Sequence, residues 1–206
     1  MDSFGHLMFR GSVQAEQEKR GSAETYARLA DRPVPQEIGP DERGFIETRD
    51  SFYIASTSEG GWPYVQHRGG SAGFLQVTGP ATLAFADYRG NRQFVTTGHV
   101  AADDRVALFL MDYPRRARLK ILGHAKIVEA AEEPDLARDL TRDGDPAAER
   151  LVTIDVAALD WNCPKYITPR FTEAEIQALI GPRLAEIEAE NAALRARLNA
   201  LTEGPP

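Results

Sequence analysis

A change of hydrophobic period at Ser51 constrains the fold of this chain most strongly. From there to residue 156, short runs rich in β-branched and aromatic residues alternate with turn signals such as Glu59-Gly60-Gly61 and Gly79-Pro80. Strands are predicted at residues 52–57, 62–67, 74–77, 82–86, 93–96, 105–111, 119–128 and 151–156, and short helices at 98–103 and 134–140. Antiparallel strands of this length favour a mainly β (α+β) barrel or sandwich over a parallel, doubly wound sheet.

The residues before these strands are predicted to be helical. Ser12 and Ser22 are placed to cap two short helices, and Pro33 and Pro35 end this lead-in as a linker. Residues 41–50 are expected to add another turn or two of helix. The predicted organisation is therefore a lead-in at 1–40, a β domain at 41–170 and a C-terminal helix at 171–206.

The C-terminal segment has the pattern of a coiled coil. Thr172 is predicted to cap a helix that Gly181-Pro182 interrupts, with a second helix following. The spacing of the next residues is 4, 3, 4, 3, 4, 3, the a/d pattern of a heptad repeat: Ile180, Leu184, Ile187, Asn191, Leu194, Leu198 and Leu201. In a parallel pair the g and e positions place Arg183 opposite Glu188 and Glu190 opposite Arg195. Both pairs have opposite charges, so a homodimer with a parallel C-terminal coiled coil is expected.

The composition of the chain argues against several classes of protein. The single cysteine, Cys163, excludes an internal disulfide and a cysteine cluster for a metal. A net charge of −7 argues against generic binding of nucleic acid or acidic membranes. The chain has no apolar run of the roughly 20 residues that span a bilayer, and its N-terminus lacks the pattern of a signal peptide. We therefore expect a cytoplasmic protein with neither nucleic acid nor membrane as partner.

The positive charges are concentrated in the middle of the chain. Between Val65 and Lys126 there are nine basic and four acidic residues, so this stretch is +5 while the rest is −12. The histidines lie in no hydrolase motif, and Gly69–Gly73 lacks the lysine of a phosphate loop. The loop Tyr88–Gln93 can project two guanidinium groups and an amide, a chemistry that suits a phosphate monoester.

At these residues the sequence resembles a known family. The blocks that carry the resemblance are 52–57, 61–70 (GWPYVQHRGG), 85–93 (FADYRGNRQ), 105–111 and 116–123 (RARLKILG), followed by Trp-Asn-Cys-Pro at 161–164 and Ile-Thr-Pro-Arg at 167–170. They are similar to the flavin-binding core of the pyridoxamine 5′-phosphate oxidase superfamily, and to its bacterial subgroup of flavin-nucleotide-binding proteins. The resemblance covers about residues 45–170 and implies a split β-barrel homodimer with FMN at the subunit interface.

The resemblance also implies a set of cofactor-binding residues. Arg92 and Gln93 fall on the family's phosphate-binding Arg-Lys pair, and Arg118 falls where a glutamine contacts the cofactor. Gln66 occupies the place of a first-strand arginine, and Arg68 lies on the same strand face. The residues expected to bind the cofactor are Gln66, Arg68, Ala86, Asp87, Asn91, Arg92, Gln93 and Arg118.

Two departures from the family pattern limit the functional prediction. Gln93 replaces a lysine, and the oxidase's C-terminal Arg-Leu-His type of substrate motif has no counterpart around Trp161–Arg170. Oxidation of pyridoxamine phosphate itself is therefore not expected. We expect an FMN-dependent oxidoreductase with an unassigned small-molecule substrate or electron donor and no named catalytic residue. The alternatives are a flavin carrier or sensor and a protein that uses the deazaflavin F420, whereas haem would need an axial histidine that no motif indicates.

Overall fold

A computed structural model describes residues 1–202 of the chain. Its helices are α1 (Phe4–Met8), α2 (Ser12–Lys19), α3 (Ala23–Ala30), α4 (Pro40–Ile46), α5 (Val95–Ala102), α6 (Pro134–Leu140) and α7 (Glu173–Thr202). Its strands are β1 (Ser51–Thr57), β2 (Pro63–Gly69), β3 (Gln76–Gly79), β4 (Thr82–Tyr88), β5 (Arg105–Asp112), β6 (Ala117–Glu129) and β7 (Ala148–Trp161). The described residues contain no helix long and apolar enough to cross a membrane.

All the strands pair antiparallel in one sheet, in the order β2-β1-β5-β6-β7-β4-β3. The sheet is curled. Arg68 on the edge strand β2 forms an ion pair with Asp87 on β4, and these strands could not meet in a flat sheet because β4 lies near the opposite edge. This architecture confirms the predicted mainly β fold, a split barrel of antiparallel strands with N-terminal helices and a C-terminal helix.

An aromatic cluster fills the inside of the curled sheet. Phe52 of β1 stacks on Phe74 at 5.5 Å between ring centroids and meets Phe85 of β4 edge-to-face at 5.4 Å. Buried and more exposed residues alternate along β1 and β5, as expected for strands with one face in the core. The contact between β1 and β4 across the interior therefore stabilises the same curled form of the sheet as the Arg68–Asp87 ion pair.

Several predicted boundaries were wrong. Residues 93–96 are not a strand: Phe94 has a left-handed backbone (φ 53°) and is the N-cap of α5. A residue in that conformation cannot continue a pleated strand, although the run Gln-Phe-Val-Thr has strand-like composition. Helix α1 was not predicted, and β7 is much longer than the predicted 151–156, whereas α4 supplies the expected turn or two of helix within residues 41–50.

The chain divides into two compact units, and the second contains α7. Thr172 and Glu175 form a reciprocal capping box at its start, which confirms the predicted cap: each backbone N–H donates to the other residue's side chain, at 2.8 and 3.2 Å. The predicted interruption at Gly181-Pro182 was wrong, since α7 runs through Pro182 as one helix. A single proline removes one backbone hydrogen bond, and the helix continues on both sides of it. Residues 203–206 of the predicted C-terminal segment lie outside the described residues.

Candidate functional site

A pocket of about 210 Å³ lies where β2, β4, β7 and the start of α5 meet. The loop after β4 forms one of its walls. The residues around it are Tyr64, Gln66, Arg68, Asp87, Tyr88, Gly90, Asn91, Arg92, Gln93, Phe94, Val95, Thr96, Thr97 and Arg150. Its surface is therefore formed by polar, cationic and aromatic side chains from elements that are distant in sequence.

The carboxylate of Asp87 joins two arginines at this pocket. Its Oδ1 accepts a hydrogen bond from Arg68 of β2, and its Oδ2 accepts one from Nε of Arg150 of β7 at 3.0 Å. The Nη2 atom of Arg150 forms an ion pair with the same oxygen at 2.9 Å. Asp87 is buried, and the arginine side chains are 18% and 11% exposed. Buried charges require such pairing because desolvation is costly. The triad therefore holds both guanidinium groups at fixed positions beside the pocket.

The loop between β4 and α5 has an unusual backbone. Arg92 and Phe94 have positive φ angles of 60° and 53°, a conformation that costs free energy in residues other than glycine. The Asn91 side chain accepts a hydrogen bond from the backbone N–H of Gln93 at 3.1 Å and so fixes the turn. The guanidinium groups of Arg92 and Arg150 both lie over the Phe94 ring, at 5.9 and 5.0 Å from its centroid.

The first turn of α5 also lines the pocket. The backbone N–H of Gly98 is the first to bond inside this helix, to Phe94, so the N–H groups of residues 95–97 have no helical acceptor. Thr96 donates from Oγ1 to the side-chain oxygen of Gln66 at 2.8 Å, which ties α5 to β2. Unpaired N–H groups and the helix dipole favour an anion at this position.

The pocket is positively charged. Its lining has three guanidinium groups and one carboxylate, which leaves two positive charges in excess. The Nε atom of Arg68 is buried and makes no hydrogen bond within the described residues. A buried N–H without a partner is costly, so this atom is matched to an acceptor that a ligand would provide. The site as a whole fits a dianion.

Tyr88 borders the pocket as a hydrogen-bond donor. Its burial and the hydrogen bond that its hydroxyl donates to Asp145, 2.9 Å away, raise the pKa of Tyr88 to about 12. The phenol is therefore protonated throughout the physiological range. The same bond holds the loop before β7 against the end of β4, and so keeps this wall of the pocket in place.

The structure brings together six of the eight residues that the sequence assigned to the cofactor. The six that line the pocket are Gln66, Arg68, Asp87, Asn91, Arg92 and Gln93. Ala86 is instead buried in a small apolar cluster with Ala84, Leu140 and Leu151. Arg118 does not line this pocket either: it lies on β6, half-buried, and its Nε is buried without a partner among the described residues.

Sequence reasoning missed three prominent lining residues. Arg150 lies directly across from Asp87 in the β4–β7 register, but the two are 63 residues apart in the chain. Only a known strand pairing would have revealed this partner. Phe94 was hidden because residues 93–96 were assigned to a strand, and Tyr64 carried no signal beyond strand propensity.

Comparison with known proteins identifies the relatives of this domain. The sequence model of the pyridoxamine 5′-phosphate oxidase family matches residues 38–158. No curated protein shows a significant match to the sequence.

The solved structures similar to this chain include HupZ from Group A Streptococcus, with 11% identity and a TM-score of 0.51 over 65% of this chain and 99% of HupZ. A variant of HupZ gives 12% identity, a TM-score of 0.51, and coverage of 61% and 99%. An FMN-binding protein from Syntrophomonas wolfei has 9% identity and a TM-score of 0.43, with coverage of 71% and 97%. The HupZ matches support the same fold.

Replacing the central carboxylate tests the proposed dependence of the pocket on Asp87. We expect Asp87→Asn to lower the free energy of unfolding by about 3–5 kcal/mol, because two buried guanidinium groups lose their counter-charge. Urea denaturation followed by circular dichroism measures this change. The matched control is Asp135→Asn, which breaks the exposed pair with Arg138 and should change stability far less. Equal effects of the two substitutions would contradict the role assigned to Asp87.

Proposed function

Because the chain belongs to the pyridoxamine 5′-phosphate oxidase family, we propose that it is an FMN-binding flavoprotein that acts as an oxidoreductase on a small molecule. The observation that carries this proposal is the charge of the pocket. Two positive charges in excess, placed beside a helix N-terminus, match the dianionic phosphate of FMN. Flavin supplies the hydride or electron transfer when bound, and the protein supplies binding and orientation.

Three groups would hold the phosphate. Arg68 offers its unpaired Nε, and the first turn of α5 offers backbone N–H groups. Arg92 is exposed and has no carboxylate partner among the described residues, so its guanidinium is free to pair with an anion. Arg150 is already bound to Asp87 and Glu149. Its role in the proposal is to fix the site and contribute positive charge.

The pocket is too small for the whole cofactor. Its volume of about 210 Å³ is below the roughly 300–1,000 Å³ of complete small-molecule pockets. The proposal therefore places only the phosphate end of FMN here, with the rest of the site completed by a second copy of the chain. An exposed apolar face of the sheet is available for such a contact. It includes Tyr53, Ala55, Val65, Phe109 and Leu122, beside a groove of about 440 Å³.

Arg118 lies on this outer face of the sheet. It alternates along β6 with the buried Leu119 and shares its side with Lys120, a residue of the apolar groove. A side chain on this face points away from the interior of its own barrel. In a homodimer formed through the apolar face, Arg118 would contribute to the pocket of the other copy. This position reconciles its expected cofactor role with its absence from its own chain's pocket.

Binding of FMN and riboflavin tests the phosphate site directly. We expect the wild-type protein to bind FMN at least 100-fold more tightly than riboflavin, since only FMN has the dianion. Arg92→Ala should weaken FMN binding about 10- to 100-fold, the effect of losing a charge-assisted hydrogen bond, and leave riboflavin binding unchanged. Quenching of flavin fluorescence measures both dissociation constants.

Arg89→Ala is the matched control, because Arg89 belongs to the same loop but does not line the pocket. Equal loss of FMN and riboflavin binding in Arg92→Ala would contradict the assignment. Mixed dimers test Arg118: if it acts from the other copy, Arg92→Ala and Arg118→Ala chains together restore one intact site per dimer. No recovery on mixing would show that both arginines serve the same chain.

The ligand and its reduction test the activity. Mass spectrometry of the small molecule released from purified protein should give the mass of FMN, whereas the mass of F420 would contradict the cofactor assignment. Under anaerobic conditions, NAD(P)H should bleach the flavin band, and a small-molecule acceptor should restore it over repeated turnovers. A flavin that only dithionite reduces, with no reoxidation by any acceptor, would indicate a carrier or sensor instead.

A further inference from the structure

Helix α7 has an exposed apolar stripe along one face, in which Asn191 is the one polar residue. The helix contains 30 residues without a break, which corresponds to about 45 Å at 1.5 Å per residue. The apolar residues of the stripe are all exposed: Ile180, Leu184, Ile187, Leu194, Leu198 and Leu201. Six exposed branched side chains on one face of a helix are typical of a surface that binds a partner.

The helix is unbroken, so all the heptad residues from Ile180 to Leu201 lie on one helix. With Leu184 at position a, Pro182 falls at position f, on the side opposite the stripe. The carbonyl that loses its helical donor, that of Ala178, lies at position b and is also away from the a/d seam. The proline is therefore compatible with pairing, and Ile180 extends the seam at its N-terminal end.

The charges beside the stripe favour a second copy of the same chain. In a parallel pair, position g of one helix meets the next e of its partner, which joins Arg183 to Glu188 and Glu190 to Arg195. In an antiparallel pair in which Leu184 meets Leu194, g faces g and e faces e, so Glu190 would face Glu190 and Glu188 would face Glu188 of the second copy. Charge complementarity thus favours the parallel pair over this antiparallel register.

Asn191 distinguishes the two directions. In the parallel arrangement it occupies an a layer and faces Asn191 of the second copy, so the two amides can hydrogen-bond. In the antiparallel arrangement it faces Ile187, and the amide would lie in an apolar layer without a partner in the other helix. In the single chain its Nδ2 donates to the Ile187 carbonyl at 3.0 Å. A single Asn at position a is a known determinant of register and strand number.

We propose that residues 180–201 of α7 pair in parallel and in register with the same segment of a second copy, as a two-stranded coiled coil. The apolar stripe provides the buried seam, the g–e pairs provide complementary charge, and Asn191 selects the parallel register. This interface shares no residue with the pocket lining, and its formation requires no cofactor.

Disulfide trapping in the full-length chain tests the proposal. The exposed Cys163 is first removed as Cys163→Ser, and Leu194→Cys is added at a d position. Mild oxidation should convert most of the chain into a covalent dimer, because the two d residues of a parallel layer are adjacent. Ala196→Cys, at the outward f position of the same turn, should remain monomeric on a denaturing gel. No excess of dimer for Leu194→Cys over Ala196→Cys would overturn the proposal.

Mixing two tagged variants fixes the direction. Chains with Leu194→Cys and chains with Leu184→Cys should give only like-with-like disulfides in a parallel coil, whereas the antiparallel arrangement would give only mixed ones. Mixed disulfides in the otherwise wild-type background would therefore overturn the proposal. Unchanged circular dichroism confirms that each variant folds.

Discussion

The ion-pair triad of Arg68, Asp87 and Arg150 is the interaction on which the rest of this structure depends. It joins the edge strand β2 to β4 and β7 and so closes the curled sheet at one end. A buried carboxylate is stable there only because two guanidinium groups neutralise it. Those groups are in turn held beside the pocket with one positive charge in excess. The same contact therefore serves the fold and creates the electrostatic field of the site.

The loop after β4 and the first turn of α5 add to the positive potential of the pocket. The left-handed residues Arg92 and Phe94 turn the chain from β4 into α5, which brings the helix N-terminus and a further guanidinium to the same crevice. Strain in such a loop is common at binding sites, where surrounding structure maintains it. A local cationic site can thus exist in a chain with a net charge of −7, because nearby charges dominate over distant, screened ones.

Features that depend on neighbouring residues could be predicted from the sequence. Contacts between residues that are far apart in the chain could not. Alternating burial along β1 and β5 and the Thr172 cap depend on neighbouring residues, which the sequence displays directly. Arg150 could not be found, because its partnership depends on strand pairing across 63 residues. Position-by-position resemblance assigned Ala86 to the cofactor, and its side chain lies in the small apolar cluster with Leu140 and Leu151, away from the pocket lining. Resemblance locates a strand at a site more reliably than it identifies the face that each residue presents.

Phosphorus NMR of FMN bound to the protein would test the central claim most directly. A free phosphate monoester titrates between its two ionic forms with a pKa near 6. A pocket with two positive charges in excess should hold the dianion, so the bound resonance should stay constant as the pH falls from 8 to about 5. A bound resonance that titrates as it does in free FMN would contradict the account, since the phosphate would then lie outside the cationic pocket.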